Sequence, residues 1–208
     1  MLIYVADPMC SWCYGFAPEL QALLDSFPDQ TLRLVLGGLR AYSAQPMDAA
    51  LRASLAHHWR DVERVSGQPF DRSLLARTDF VYDTEPACRA VVTVRSTDAS
   101  RAWPMFHAIQ RAFYAQGRDV TRADVLAAIH AELTGGSSAE FEQQMGSAAM
   151  REATRTDFAL AREWEVQGFP TLFAERDGHY ALLAPGYTKA AELIERARAF
   201  FSDAGRSP

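Results

Sequence analysis

The five residues Leu2-Ile3-Tyr4-Val5-Ala6 run straight into Asp7-Pro8, and two residues later the chain reads Cys10-Ser11-Trp12-Cys13. A short apolar run closed by a turn signal predicts a buried strand. Leu20, Leu23, Leu24 and Phe27 then recur at i, i+3, i+4 and i+7, which predicts a helix continuing from Phe16 to Phe27. Cys10 therefore falls where a helix starts. The free N–H groups of a first turn and the positive end of the helix dipole favour an anion, so a thiol in that place is expected to ionise more readily than a free one. A free cysteine, with a pKa of about 8.5, is roughly 3% thiolate at pH 7, whereas Cys-x-x-Cys sites at helix starts titrate between about 3.5 and 7. Cys10 is the candidate nucleophile. Cys13 follows three residues later on the same helical face, within disulfide reach and deeper in the chain.

The 208 residues hold three cysteines, an odd number that does not make a disulfide scaffold. A Cys-x-x-Cys pair is redox-active or half of a metal site. The metal reading needs two more ligands, and His57, His58, His107, His130 and His179 show no second pair at zinc spacing. Net charge is −5, and the 21 Lys and Arg are scattered, so a basic nucleic-acid surface is not expected. No basic, apolar and small-residue leader pattern precedes Leu2, and no apolar run is long enough to span a bilayer, so the expected location is cytoplasmic, away from membranes.

Thr31 to Leu36 predicts a second strand, ended by Gly37-Gly38. Strand, helix and strand in this space make a βαβ unit, and the Cys pair sits at the carboxyl end of its first strand. From Leu39 to Val166 only helical patterns appear: Pro46–Val65, Pro69–Thr78, Glu85–Ser96, Trp103–Gln116, Thr121–Leu133, a short one from Ser137 to Met145, and Ala148–Val166. Thr121-x-x-Asp124 reads as a capping box, Ser137-x-x-Glu140 opens the next helix, and Thr134-Gly135-Gly136 is a stop signal between them. Strand character returns at Thr171–Glu175 and His179–Leu183, joined by the hairpin signal Asp177-Gly178, and Thr188–Phe201 closes as an amphipathic helix.

This order, with Cys10-Ser11-Trp12-Cys13 at the first strand-to-helix junction and Gly168-Phe169-Pro170-Thr171 before the third strand, resembles the thioredoxin superfamily in its DsbA-like form. The stretch Asp7 to Phe16 is similar to the FrnE-related protein-disulfide isomerases and to the hydroxychromene-carboxylate isomerases, and Asp83 to Arg89 resembles a recurrent helix start of those relatives. The resemblance implies an α/β fold, with a thioredoxin-like βαβ…ββα core at 1–38 and 167–208 and an all-helical insertion domain at 39–166. It also implies that Pro170 is a cis-proline facing the Cys pair. Many thioredoxins carry a buried acid six residues before the first cysteine, and here that position is Tyr4.

The implied activity is thiol–disulfide oxidoreduction or isomerisation of protein substrates. Cys10 forms a mixed disulfide, Cys13 resolves it, and neither a metal nor an organic cofactor is required. Phe169 and Pro170 would present backbone to an extended substrate. Trp12 reads either as a docking face or as a lone surface aromatic, and Ser11 either tunes the thiolate or only serves the helix start. Cys88 reads as a core residue, and His57-His58 as surface or satisfied histidines. Two rivals stand beside this. One is a glutathione-dependent transferase or isomerase of kappa-class type, which does not need Cys13; glutathione is also the alternative redox partner. The other is a zinc-binding interaction module.

Overall fold

The computed structural model describes residues 1–202; the last six positions of the C-terminal unit expected from the sequence lie outside the described residues. In chain order the elements are β1 (Leu2–Ala6), α1 (Ser11–Ser26), β2 (Leu32–Leu36), α2 (Ala49–Ser66), α3 (Ser73–Ala76), α4 (Glu85–Thr97), α5 (Ala102–Tyr114), α6 (Ala123–Thr134), α7 (Ser138–Met145), α8 (Ala148–Glu163), β3 (Thr171–Arg176), β4 (His179–Ala184) and α9 (Ala190–Ser202). The βαβ…ββα order is present, with the helices α2 to α8 between its halves.

The strands form one sheet in the order β2-β1-β3-β4. β1 pairs parallel with β2, placing Tyr4 beside Leu34, and antiparallel with β3, placing Tyr4 beside Leu172. All five residues of β1 are buried, as a central strand covered on both faces requires. The two-residue period sorts them. Ile3 and Val5 join Val35 and Ala161 under α8, with Trp164 and Phe173 against them, while Leu2, Tyr4 and Ala6 face α1 in the larger core. A one-residue slip would exchange these two sets, so packing fixes the register.

That larger core runs without interruption from β1 and α1 into α4, α5 and α6, with Trp59, Phe106, Phe113 and Tyr114 fully buried in it. The insertion also closes the sheet edge at β2. The Leu36 N–H donates to Asp157 Oδ2 at 3.0 Å, Arg95 grips the Asp157 carboxylate at 2.7 and 2.9 Å, and Arg95 also donates to the Leu34 carbonyl at 2.6 Å. Edge groups that would invite another strand are thereby spent on α4 and α8.

Three local expectations change. The helix expected over Pro69–Thr78 is only the single turn α3. The Asp71 side chain accepts from the Ser73 N–H at 2.7 Å and the Asp71 N–H donates to the Tyr114 carbonyl, which hold the preceding residues in loop form. Thr121 does not cap α6: its hydroxyl and N–H both donate to Asp119 Oδ1, at 2.6 and 3.2 Å, and Arg122 takes the N-cap place. The helix expected from Pro46 begins at Ala49, because Asp48 accepts from the Leu51 N–H at 2.7 Å. Elsewhere Ser137 caps α7, Gly135 ends α6 in the left-handed region, and Asp177-Gly178 forms a two-residue turn with φ of 54° and 79°.

Candidate functional site

The β1–α1 turn is built by one buried carboxyl. Asp7 accepts from the Met9 N–H at 2.8 Å through one oxygen and from the Leu39 N–H at 2.7 Å through the other, while its carbonyl accepts from the Cys10 N–H at 3.0 Å. The Cys88 thiol donates to the same carboxyl at 3.5 Å from the first turns of α4. Burial raises the titration of Asp7, against the pull of these donors. Cys88 is thus a core residue that ties α4 to the site turn.

Tyr82 and Tyr114, both buried, donate their hydroxyls to the Met9 carbonyl, Tyr114 at 2.6 Å. Tyr14 stacks on Tyr114 with ring centres 5.0 Å apart. The residue before Cys10 is therefore held at both ends of its backbone, by a carboxylate on the N–H and two phenols on the carbonyl.

Cys10 is the N-cap of α1 and its side chain makes no capping hydrogen bond. The first-turn N–H groups have no intrahelical partner by construction, and no acidic side chain sits in that turn. The Cys10 thiol donates to the Phe169 carbonyl at 3.6 Å, so the first helix start and the segment before β3 meet at this sulfur. The Phe169–Pro170 peptide bond is cis, and Pro170 is buried. Cys13 lies one turn in and is fully buried, while Cys10 retains 6% exposure. Burial, then the neighbouring Cys10, push the Cys13 thiol well above its ordinary range. The two sulfurs are chemically unlike: one at the surface of a cleft, one held as a thiol behind it.

The cleft has a volume of about 490 Å³ and is lined by Cys10, Ser11, Trp12 and Phe169 together with Arg40, Leu55, His58 and Tyr82 from the insertion. Trp12 stands between His58, 5.9 Å away and perpendicular, and Tyr187 at 5.6 Å. The Tyr187 hydroxyl donates to Glu19, which also accepts from the first N–H of α9, so Trp12 leans on a fixed ring. Arg40 lies over the Tyr82 ring at 5.6 Å and has no carboxylate partner among the described residues. His58 thus belongs to the cleft, whereas His57 is exposed and pairs with Asp61 at 3.4 Å. Arg40, His58, Tyr82 and Tyr187 carry no local pattern that marks them as site residues; the packing of the insertion brings the first three there, and the segment between β4 and α9 brings Tyr187 against Trp12.

Among the described residues no group of three or more His, Cys, Asp or Glu is placed to hold a metal ion, and no helix is long and apolar enough to cross a membrane.

The pattern of residues 1–195 matches the model of the DSBA-like thioredoxin domain. This chain belongs to the DSBA-like thioredoxin domain family. Within that family's fold, a candidate protein disulfide isomerase from Nitrosomonas europaea superposes with a TM-score of 0.90 at 34% identity, over 98% of each chain. The cytosolic disulfide reductase DsbM from Pseudomonas aeruginosa superposes at 0.80 with 32% identity, over 97% of this chain and 96% of that one, and its structure with glutathione at 0.79 with 31% identity, over 99% of each. A 2-hydroxychromene-2-carboxylate isomerase, 17% identical over 98% of this chain and 97% of its own, shares the fold at a TM-score of 0.70. A search of curated protein sequences found no match.

Proposed function

We propose that this DSBA-like protein is a thiol–disulfide oxidoreductase or isomerase in which Cys10 attacks and Cys13 resolves. The observation that carries the reading is the position of the Cys10 sulfur: N-cap of α1, lining the cleft, against the Phe169 carbonyl, with Cys13 buried one turn behind. The thiolate of Cys10 attacks a substrate disulfide R–S–S–R′, forming Cys10–S–S–R and releasing R′–S⁻. Cys13 then attacks the Cys10 sulfur, the bond to R breaks, and R leaves as a thiol; the substrate gains two electrons and the protein holds a Cys10–Cys13 disulfide. Run in reverse, the same exchanges oxidise a dithiol. The Phe169-Pro170 segment offers backbone to an extended substrate, and Trp12 an aromatic wall.

A second reading, glutathione as partner or substrate, is favoured by the cleft itself. It is lined in part by α2, falls within the roughly 300–1,000 Å³ of small-molecule sites, and presents the Arg40 cation, without a carboxylate partner among the described residues, to a ligand carboxylate. The DsbM structure with glutathione supports the same choice of small thiol. No metal or organic cofactor enters this chemistry, and a cytoplasmic setting fits a protein that works as a dithiol.

Cys13→Ser tests the reading and separates the alternatives. The variant is expected to accumulate a stable mixed disulfide on Cys10, visible as an added mass removed by reductant, and to lose multiple turnover. Its adducts are expected to identify the client as protein or glutathione. Full turnover by Cys13→Ser on a glutathione-dependent transfer or isomerisation, with no adduct trapped, would establish the kappa-class type of reaction instead.

A further inference from the structure

Tyr4 sits in the middle of the central strand with 0% exposure, and its hydroxyl oxygen is buried without a hydrogen-bond partner among the described residues. Its ring is boxed by Phe16, Trp103 and Phe106 at centroid distances of 5.9, 6.1 and 5.8 Å, a setting that a phenylalanine would fill as well. The hydroxyl is therefore the unexplained atom, since buried polar groups are normally paired. Phe16, on which the ring packs, belongs to α1, and Cys13 lies three residues earlier on the same helical face, fully buried in the same core, with the Tyr4 hydroxyl among the groups that favour its ionised form.

We propose that the Tyr4 hydroxyl is the donor that stabilises the Cys13 sulfur as negative charge builds on it during resolution of the mixed disulfide. The proposal rests on the resolving role given to Cys13 above. A fully buried thiol resists ionisation, and the protein groups facing Cys13 that oppose this are the Asp7 backbone and the Tyr4 hydroxyl. Asp7 does not compete as a side chain, because its carboxyl is taken by the Met9 and Leu39 N–H groups and by Cys88. Tyr82 and Tyr114 do not compete either, because both donate to the Met9 carbonyl.

The sign of the role follows from burial. Desolvation first, then the charge of Cys13, raise the titration of Tyr4, so it stays protonated and donates; it does not remove a proton. In the balanced step Cys10–S–S–R and Cys13–SH become Cys10–S–S–Cys13 and R–SH. The Cys13 proton ends on the departing sulfur, and the tyrosine keeps its own. A carboxylate in this position would act as a base; a neutral phenol acts by hydrogen bonding, which strengthens as the sulfur gains charge.

The test is Tyr4→Phe, which keeps the ring and deletes one oxygen that makes no bond, so melting at or near the wild-type temperature is expected. Reduced protein is mixed with 5,5′-dithiobis(2-nitrobenzoate), and the two releases of thionitrobenzoate are followed by stopped flow across pH. The first release reports attack by Cys10 and the second reports closure by Cys13. The groups facing Cys13 that bear on the profile are Cys10, Tyr4 and Asp7. We expect the second release to slow by about tenfold, with its pH midpoint moved upward, and the first to be unchanged. Unchanged rate and midpoint for the second release overturn the proposal. Equal slowing of both releases also overturns it, because a structural disturbance would act on both. A wild-type protein that gives no second release instead removes the resolving role of Cys13, and with it the basis of this inference.

Discussion

A methyl group added at Gly37 tests how the cleft is held. The backbone there is outside the left-handed region, so alanine meets no conformational strain. Its Cβ would lie 1.9 Å from Phe169 Cζ, 2.3 Å from Cε1 and 2.6 Å from Cε2. Carbon contacts settle at about 3.5–4 Å, so the ring tip must retreat by roughly 1.5–2 Å or leave its rotamer. Overpacking of this kind costs about 1–3 kcal/mol. Phe169 also accepts the Cys10 thiol on its carbonyl and precedes Pro170, so the displacement reaches the docking segment. Misplacement by 1 Å near reacting groups can cost about a hundredfold in rate. Gly37→Ala should lower kcat/KM for disulfide turnover by tenfold to a hundredfold and lower stability by about 1–3 kcal/mol in urea unfolding. In a Phe169→Ala background the new methyl has room, and the stability penalty of Gly37→Ala should disappear. An equal penalty in both backgrounds would falsify the steric argument.

Asp157→Ala removes the acceptor of the Leu36 N–H and strands the Arg95 guanidinium at the sheet edge, so urea unfolding should show a loss of about 3 kcal/mol, while Arg95→Ala in addition should cost little more. A loss under 1 kcal/mol would mean the edge is held by packing alone. Cys88 is fully buried, and desolvation first, then Asp7, raise its thiol well above the ordinary range. Above about pH 8.5 the unfolded chain gives up this proton and the folded one keeps it, so the stability contribution is fully present below that pH and falls as pH rises. Cys88→Ala should therefore reduce the fall in unfolding free energy between pH 8.5 and 10 by up to about 1.4 kcal/mol per pH unit, and an unchanged slope would contradict the assignment.

The parts of the molecule written in local pattern were legible in the sequence. Leu2 to Ala6 could only be a covered strand, Asp7-Pro8 turned it, and the leucine spacing of α1 put Cys10 at the helix start. Asp177-Gly178 specified its hairpin for a backbone reason, positive φ at both places. What failed was competition among polar side chains. Asp119 outcompeted the helix for Thr121, and Asp71 held back α3, because short acceptors two residues away win over a cap that must wait for a helix to form. The part of the cleft lining supplied by the insertion was not legible for a different reason. Arg40, His58 and Tyr82 come from three separate segments and meet only through the packing of the insertion on α1, while Tyr187 reaches Trp12 from the segment after β4 and Glu19 caps α9 from another helix. The Tyr4 position was visible as a departure from the resembled pattern, but its orphan hydroxyl needed the structure.

In the proposed chemistry two neighbouring sulfurs divide the labour, one reached from the cleft and one held behind it. Brief alkylation of the reduced protein with iodoacetamide at pH 7, followed by peptide mass mapping, measures that division directly. Modification of Cys10 with Cys13 and Cys88 protected is expected, and, after oxidation by one equivalent of a small disulfide, a Cys10–Cys13 bond that blocks the modification. Equal labelling of all three cysteines, or an oxidised protein in which Cys10 remains open to alkylation, would contradict it.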